Sequence, residues 1–200
     1  MREEQSFSDA YLPALLQQIS EGSQPAFREV YGLFYKRLFH FAFAIVKIRE
    51  LAEEVVEDVF VKLWQKHREA RSIQHLRVYL YTATKNTALN YLAKKAKESI
   101  TEPFDHIHIE LNDPAVTPEQ ILITAEMYKK IQAAVEALPP RCKMIFKLVK
   151  EDGLRYKEIA EILNISVNTI DVQMAIAIKR IASVMETDLG YSLFKKPVRK

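Results

Sequence analysis

Tyr79, Thr82, Asn86 and Asn90 recur every three or four residues, a spacing that gathers them into one stripe on a helix. Hydroxyls and amides in such a row can hydrogen-bond the edges of bases. Arg77, Tyr81 and Lys85 run beside the stripe, and Lys94, Lys95 and Lys97 extend its positive field, where phosphates are held without regard to sequence. Aromatics interleaved with cations suit single-stranded DNA, whose unstacked bases lie against ring faces. For the rings of Tyr79, Tyr91 and Trp64 core packing is the competing role; the amides are harder to place in a core.

A second set is acidic. Glu50, Glu53, Glu54, Glu57 and Asp58 become neighbours at helical spacing, and like charges so placed cost roughly 0.2–0.5 kcal/mol per pair. Two readings fit: a solvated face whose charges favour the helix N-terminus, or a surface that meets a basic partner.

The third set lies in residues 153–181, which read as two short helices meeting at a tight corner, the geometry that delivers a helix into a DNA groove. Leu154, Ile159, Ala160 and Leu163 mark one buried face. Asn164 tolerates the left-handed conformation of a turn, Ile165 plugs the corner, and Ser166 is suited to cap the next helix. Ile170, Met174, Ala177, Ile178 and Ile181 continue a second buried stripe. An ordinary helical hairpin without a ligand is the bland alternative.

Other chemistry has little foothold. His106, His108 and Glu110 form a His-x-His pattern, but no distant His/Cys pair completes a metal site, so no metal is expected. Glycine-rich phosphate loops, a nucleophile elbow and a Ser/His/Asp arrangement are not evident; neither an enzyme nor a cofactor is expected.

The elements that must position these groups are helical. Only four glycines accompany long apolar-periodic segments in 200 residues, and sustained period-two alternation is missing, so the fold class is all-α, with two small helical domains. The single cysteine, Cys142, excludes an internal disulfide framework and fits a reducing compartment. The most apolar run, residues 38–48, is broken by His40 and Lys47 and is too short to cross a bilayer. With no basic start leading into an apolar signal core, a cytoplasmic protein without membrane insertion is expected.

The net charge of +3 hides an uneven distribution: nine cations against one acid from Lys62 to Lys97, then six acids and no Lys or Arg from Glu98 to Glu119. The first block, residues 8–97, holds a short helix ending near Gly22, a helix over 24–47, another over 50–66 and a third over 73–97. Residues 98–116, with Pro103 and Pro114, read as an acidic linker. Structure resumes at Thr117, where Pro118 and Gln120 give a capping-box spacing. Helices over 118–138 and 141–150 and the two-helix corner make up residues 117–185, and 186–200 form a basic tail.

At this point the residues resemble the sigma-70-type transcription initiation factors, specifically the extracytoplasmic-function (ECF) group. Residues 52–64, Ala-Glu-Glu-Val-Val-Glu-Asp-Val-Phe-Val-Lys-Leu-Trp, are similar to the region 2.2 helix that binds the beta-prime clamp helices of core RNA polymerase. The resemblance thus implies Glu50, Glu53, Glu54, Glu57, Asp58, Lys62 and Trp64 as polymerase contacts, and region 4 as the partner of the beta flap. Residues 80–92 are similar to regions 2.3 and 2.4, which read the minus-ten element and capture a flipped base; Asn86 and Asn90 match the base-reading amides. The loop from His67 to Ser72, with Arg68 and Arg71, falls where the group forms its base pocket.

Leu138-Pro139-Pro140-Arg141, and Tyr156-Lys157-Glu158-Ile159-Ala160 through Lys179-Arg180-Ile181, resemble region 4, whose second helix enters the major groove at the minus-thirty-five element. The implied contacts are Arg155, Lys157, Asn168, Thr169, Asp171, Val172, Gln173, Ala175, Ile176, Lys179 and Arg180. Here the chain departs from many relatives, which carry Arg or Lys where it has Asp171, Val172, Ala175 and Ile176. Apolar contact with thymine methyls suits these residues; an inhibitor seated on the apolar strip is the other reading. The acidic linker either threads toward the polymerase active-site cleft or is a solvated tether. An anti-sigma factor is implied by the family alone. The rival from another class is an autonomous helix-turn-helix regulator that binds its operator tightly, without polymerase, as a dimer.

Overall fold

The computed structural model describes residues 11–98 and 122–189, with side chains over 11–95 and 128–184. Outside these lie residues 8–10 of the first block, the side chain of Lys97, the acidic linker beyond Glu98 with its His-x-His pattern, the Thr117 capping box and the tail beyond Leu189. Among the described residues every regular element is helical: α1 (Leu12–Ser20), α2 (Gln24–Val46), α3 (Arg49–Gln65), a 3-10 helix (His67–Ser72), α4 (Leu76–Glu98), α5 (Leu122–Glu136), α6 (Pro140–Lys150), α7 (Tyr156–Leu163) and α8 (Val167–Leu189). By spatial contiguity the described residues fall into two compact units, 11–98 with 157–164, and 122–156 with 165–189.

Local chemistry sets the helix ends. Gly22 takes φ 88° after α1, a conformation open to glycine at no steric cost. Ser23 then accepts the N–H of Ala26 at 3.4 Å, and Pro25 occupies the first turn of α2, where a missing N–H costs nothing. Lys47 closes α2 in the left-handed region, donating its N–H to Phe43. The expected loop over His67–Ser72 is a 3-10 helix instead, pinned by Ala70, which is buried against the first unit.

In that unit α2, α3 and α4 pack against one another and α1 packs on the 3-10 helix. Val30, Phe34, Leu38 and Ala42 of α2 meet Val55, Val56, Val59 and Leu63 of α3 and Leu80, Tyr81 and Ala88 of α4, all buried. Each large side chain so buried contributes roughly 1.5–3 kcal/mol. Thr84 is tolerated within this core because its hydroxyl donates to the Leu80 carbonyl at 2.8 Å, one turn back along the helix.

The second unit is centred on Val135, Leu138, Cys142 and Ala177, with Ile131, Phe146 and Ile181 packed against them. The Cys142 thiol donates to the carbonyl of Gln173 at 3.2 Å, tying α6 to α8. Across the Pro139–Pro140 break, Glu136 bridges Lys143 at 3.0 Å and Lys147 at 2.7 Å.

At the corner Asn164 takes φ 54° and Ser166 accepts the N–H of Thr169 at 3.0 Å, as their types implied. The expected buried stripes need two corrections. Ile178 is 45% exposed, because it lies about 100° around α8 from buried Ala177. On α7 Ile159 is buried as expected and Ile162 joins it, while Leu163 and Ala160 are half-buried.

Candidate nucleic-acid interface

α4 sorts the residues of the amide stripe into two groups. Asn86 and Asn90 are exposed one turn apart, with Lys94 a further turn along and Leu89, 49% exposed, between them. Lys85 and Lys95 flank this face, half-buried. The N-terminal half of the helix turns inward. Tyr81, expected to stand on the surface, is 1% exposed and packs on Phe41 with ring centroids 5.1 Å apart. It is a core residue, since its position on α4 falls on the line of Leu80, Thr84 and Ala88. The Thr82 hydroxyl oxygen is also buried and has no hydrogen-bond partner, so it is not offered to a base. Tyr79 and Arg77 are half-buried; burial pushes the Tyr79 phenol up, with the charge of Glu69 adding to it.

The 3-10 helix adds a basic rim. Arg68 and Arg71 are exposed. His67 is held in place: its ring stacks on Trp64 with centroids 5.2 Å apart, and Nδ1 lies 2.9 Å from the Trp64 carbonyl. Trp64 in turn leans on Phe27 at 5.0 Å, so its ring is half-buried packing as well as surface.

On α3, Glu50, Glu54 and Glu57 are exposed and Glu53 and Asp58 half-buried. The like charges are partly relieved within the unit. Arg49 meets Glu53 at 3.0 Å and Lys62 meets Asp58 at 3.7 Å. From α4 the Tyr91 hydroxyl lies 3.0 Å from Glu54 and 3.1 Å from Asp58, donating its single proton between the two carboxylates. Burial, and then these two carboxylates, hold the Tyr91 phenol far above its ordinary value. Tyr31 and Tyr35 of α2 stack at 4.9 Å along the same edge, and burial followed by neighbouring charge, Glu57 among it, raises both phenols. Sequence reading missed the link made by Tyr91, because its partners lie 33 and 37 residues away and no local spacing signals it.

In the second unit, α8 turns Ile170, Met174 and Ala177 inward. Its opposite face presents Asn168, Asp171, Val172, Ala175, Ile176, Lys179 and Arg180 to solvent. Gln173 is half-buried, and the Thr169 hydroxyl is engaged with the Ser166 hydroxyl at 2.8 Å. Arg155, just before α7, and Lys157, in the first turn of α7 and so part of the first unit, are exposed. Among the described residues no cluster of His, Cys, Asp or Glu is arranged to hold a metal ion, and no helix is long and apolar enough to cross a membrane.

These features define a class: an all-helical chain, among its described residues, with exposed amides on α4, exposed acids on α3 and a side-chain-capped α8. Two family models match the chain, Sigma-70 region 2 over residues 30–98 and Sigma-70, region 4 over residues 128–185. The ECF RNA polymerase sigma-E factor of Escherichia coli (strain K12) is 25% identical over 162 residues, covering 78% of this chain and 84% of that protein. The ECF RNA polymerase sigma factor SigW of Bacillus subtilis (strain 168) is 22% identical over 166 residues, covering 80% and 88%. The fold is similar to that of the sigma factor RpoE, solved in complex with the anti-sigma factor NepR from Bartonella quintana, at TM-score 0.56 and 21% identity over 81% of this chain and 98% of that one. The chain belongs to the sigma-70 family, in its extracytoplasmic-function group. It is a promoter-specific initiation factor of RNA polymerase.

Proposed function

We propose that the two helical blocks divide the work of initiation, with residues 8–97 gripping polymerase and opening the promoter, and residues 117–185 docking upstream. The exposed acids of α3, with Lys62 and the rim of Trp64, meet the beta-prime clamp helices, and region 4 meets the beta flap. Asn86 and Asn90 read unwound bases of the minus-ten element, with Lys85, Lys94, Lys95, Arg68, Arg71, Arg77 and His67 holding its backbone and Tyr79 lining the approach. Arg155, Lys157, Lys179 and Arg180 hold phosphates of the minus-thirty-five duplex. The remaining exposed residues of α8 face its bases. Within this reading the chain contributes no catalytic step of its own and works in the cytoplasm beside the polymerase.

One observation carries the proposal: a single chain joins regions 2 and 4, and region 2 presents an acidic helix and an amide-bearing helix as separate exposed faces. An autonomous regulator needs no acidic face and no region 2. Because a related factor was solved with an anti-sigma factor, we also assign this chain an inhibitory protein partner of that kind.

Run-off transcription with core polymerase tests the reading. Added chain is expected to stimulate transcription from its promoters, and Glu54→Lys with Asp58→Lys to abolish co-purification with core polymerase. Tight promoter binding by the chain alone, without stimulation of core polymerase on any template, would establish the regulator instead.

A further inference from the structure

The exposed face of α8 carries a specificity that its family membership does not assign. From Val167 to Ile178 the helix contains no Lys or Arg, and Asp171 is its sole charge. At the centre of the outward face stand Val172, 48% exposed, and Ile176, 37% exposed, one turn apart, with exposed Ala175 beside them. They lie across the helix from buried Ile170, Met174 and Ala177, so they are what α8 presents to anything it docks on.

Guanine is read in the major groove chiefly by bidentate Arg or Lys on O6 and N7, and thymine by apolar contact with its C5 methyl. The stretch that would lie deepest in the groove therefore lacks the usual guanine reader and has paired methyl readers. We propose that Val172 and Ile176 select the upstream element by packing against the methyl groups of two thymines, with Asn168 available to adjacent adenine. One helical turn spans about 5.4 Å, one to two base steps at about 3.4 Å, so the thymines are adjacent or separated by one base. The occupant is duplex DNA because cations adjoin the strip: Lys179 and Arg180 follow the apolar face on α8 and are exposed, as is Arg155 ahead of α7. That distribution suits phosphate contacts beside a stretch of helix free of cations. An apolar protein partner would have no use for it.

This inference rests on the initiation reading, and its test separates the two. Holoenzyme reconstituted from core polymerase and the full chain selects active templates from duplexes randomised upstream of the start. Deoxyuridine then replaces thymidine in the selected upstream element. The exchange removes the methyl and leaves every hydrogen-bonding group in place. Open-complex formation is expected to fall about four-fold per contacted methyl, the factor for one buried methyl-sized group. Val172→Ala with Ile176→Ala should transcribe the thymine template more weakly and lose sensitivity to uracil. Both side chains are exposed, so the variant retains the α8 core, which far-UV circular dichroism checks. Equal activity on the two templates, a double variant that still prefers thymine, or an upstream element defined by guanine with no thymine requirement would each overturn the inference alone. Failure to transcribe any template would overturn the initiation reading and this inference with it.

Discussion

At the scale of single residues, the informative groups are the exposed amides of α4 and the phenol that joins α4 to α3. Asn86 and Asn90 are polar and exposed on α4, so their replacement leaves the core untouched. Asn86→Ala with Asn90→Ala is expected to reduce promoter opening by ten-fold or more, at ~1–3 kcal/mol for each lost base contact, while co-purification with core polymerase stays unchanged. Permanganate footprinting reads the first and pull-down the second. Tyr91 is the reverse case, a phenol bound to two carboxylates. Its folded-state value is raised above the ordinary one; stability from its neutral form is therefore fully present below about pH 10 and is lost as pH rises toward the folded value. Chemical denaturation is expected to show the first unit weakening above pH 10, with a shallower loss in Tyr91→Phe. An identical alkaline slope in the variant would remove Tyr91 from that role.

At the scale of elements, the corner between α7 and α8 rests on two residues with separate jobs. Asn164 adopts φ 54°, and Ser166 supplies the side-chain cap of α8. Ser166→Ala should cost about 1 kcal/mol, read as a lower denaturation midpoint at unchanged m-value; restoration by Ser166→Asp would show that the cap is responsible. Glu136 joins α5 to α6. Burial pushes its carboxyl up, but hydrogen bonds and charge from Lys147 and Lys143 outweigh that and hold it below the ordinary range. A depressed carboxyl contributes stability above its unfolded value of about 4.3, and that contribution is lost as pH falls through the lower folded value. Since the side chain is 56% exposed, the bridge is worth no more than about 1 kcal/mol. Glu136→Gln is expected to lower stability slightly at pH 7 and to flatten the fall in acid.

At the scale of the whole molecule, the proposed division of work gives each of the two units a weak, salt-dependent contact set. A modest net charge of +3 gives little general attraction to duplex DNA. The isolated chain is expected to bind promoter duplex with a Kd in the range of non-specific binding, ~10⁻⁶ to 10⁻⁴ M. Anchoring both units on one polymerase converts the second contact into an intramolecular one, which raises avidity by roughly 10² to 10⁴. Fluorescence anisotropy with and without core polymerase, at two salt concentrations, measures both values. Nanomolar binding by the chain alone would contradict this dependence.

The helical class and the corner were legible in the amino-acid order because periodicity, prolines and capping residues act over a few positions: Asn164 and Ser166 each do what their type implies. The acidic and cationic faces were legible for the same reason. Only tertiary packing decided which members of a stripe are presented. Tyr81 and Thr82 share a helix with Asn86 and Asn90, yet the first two turn toward α2 and α3 or into the unit interior while the amides remain outside. Packing also decided that Ile178 stays at the surface and that Tyr91 reaches Glu54 and Asp58. Burial and contacts between residues more than thirty positions apart depend on how whole helices rotate against one another, and local spacing leaves that rotation open by a residue or so, about 100° of helix surface.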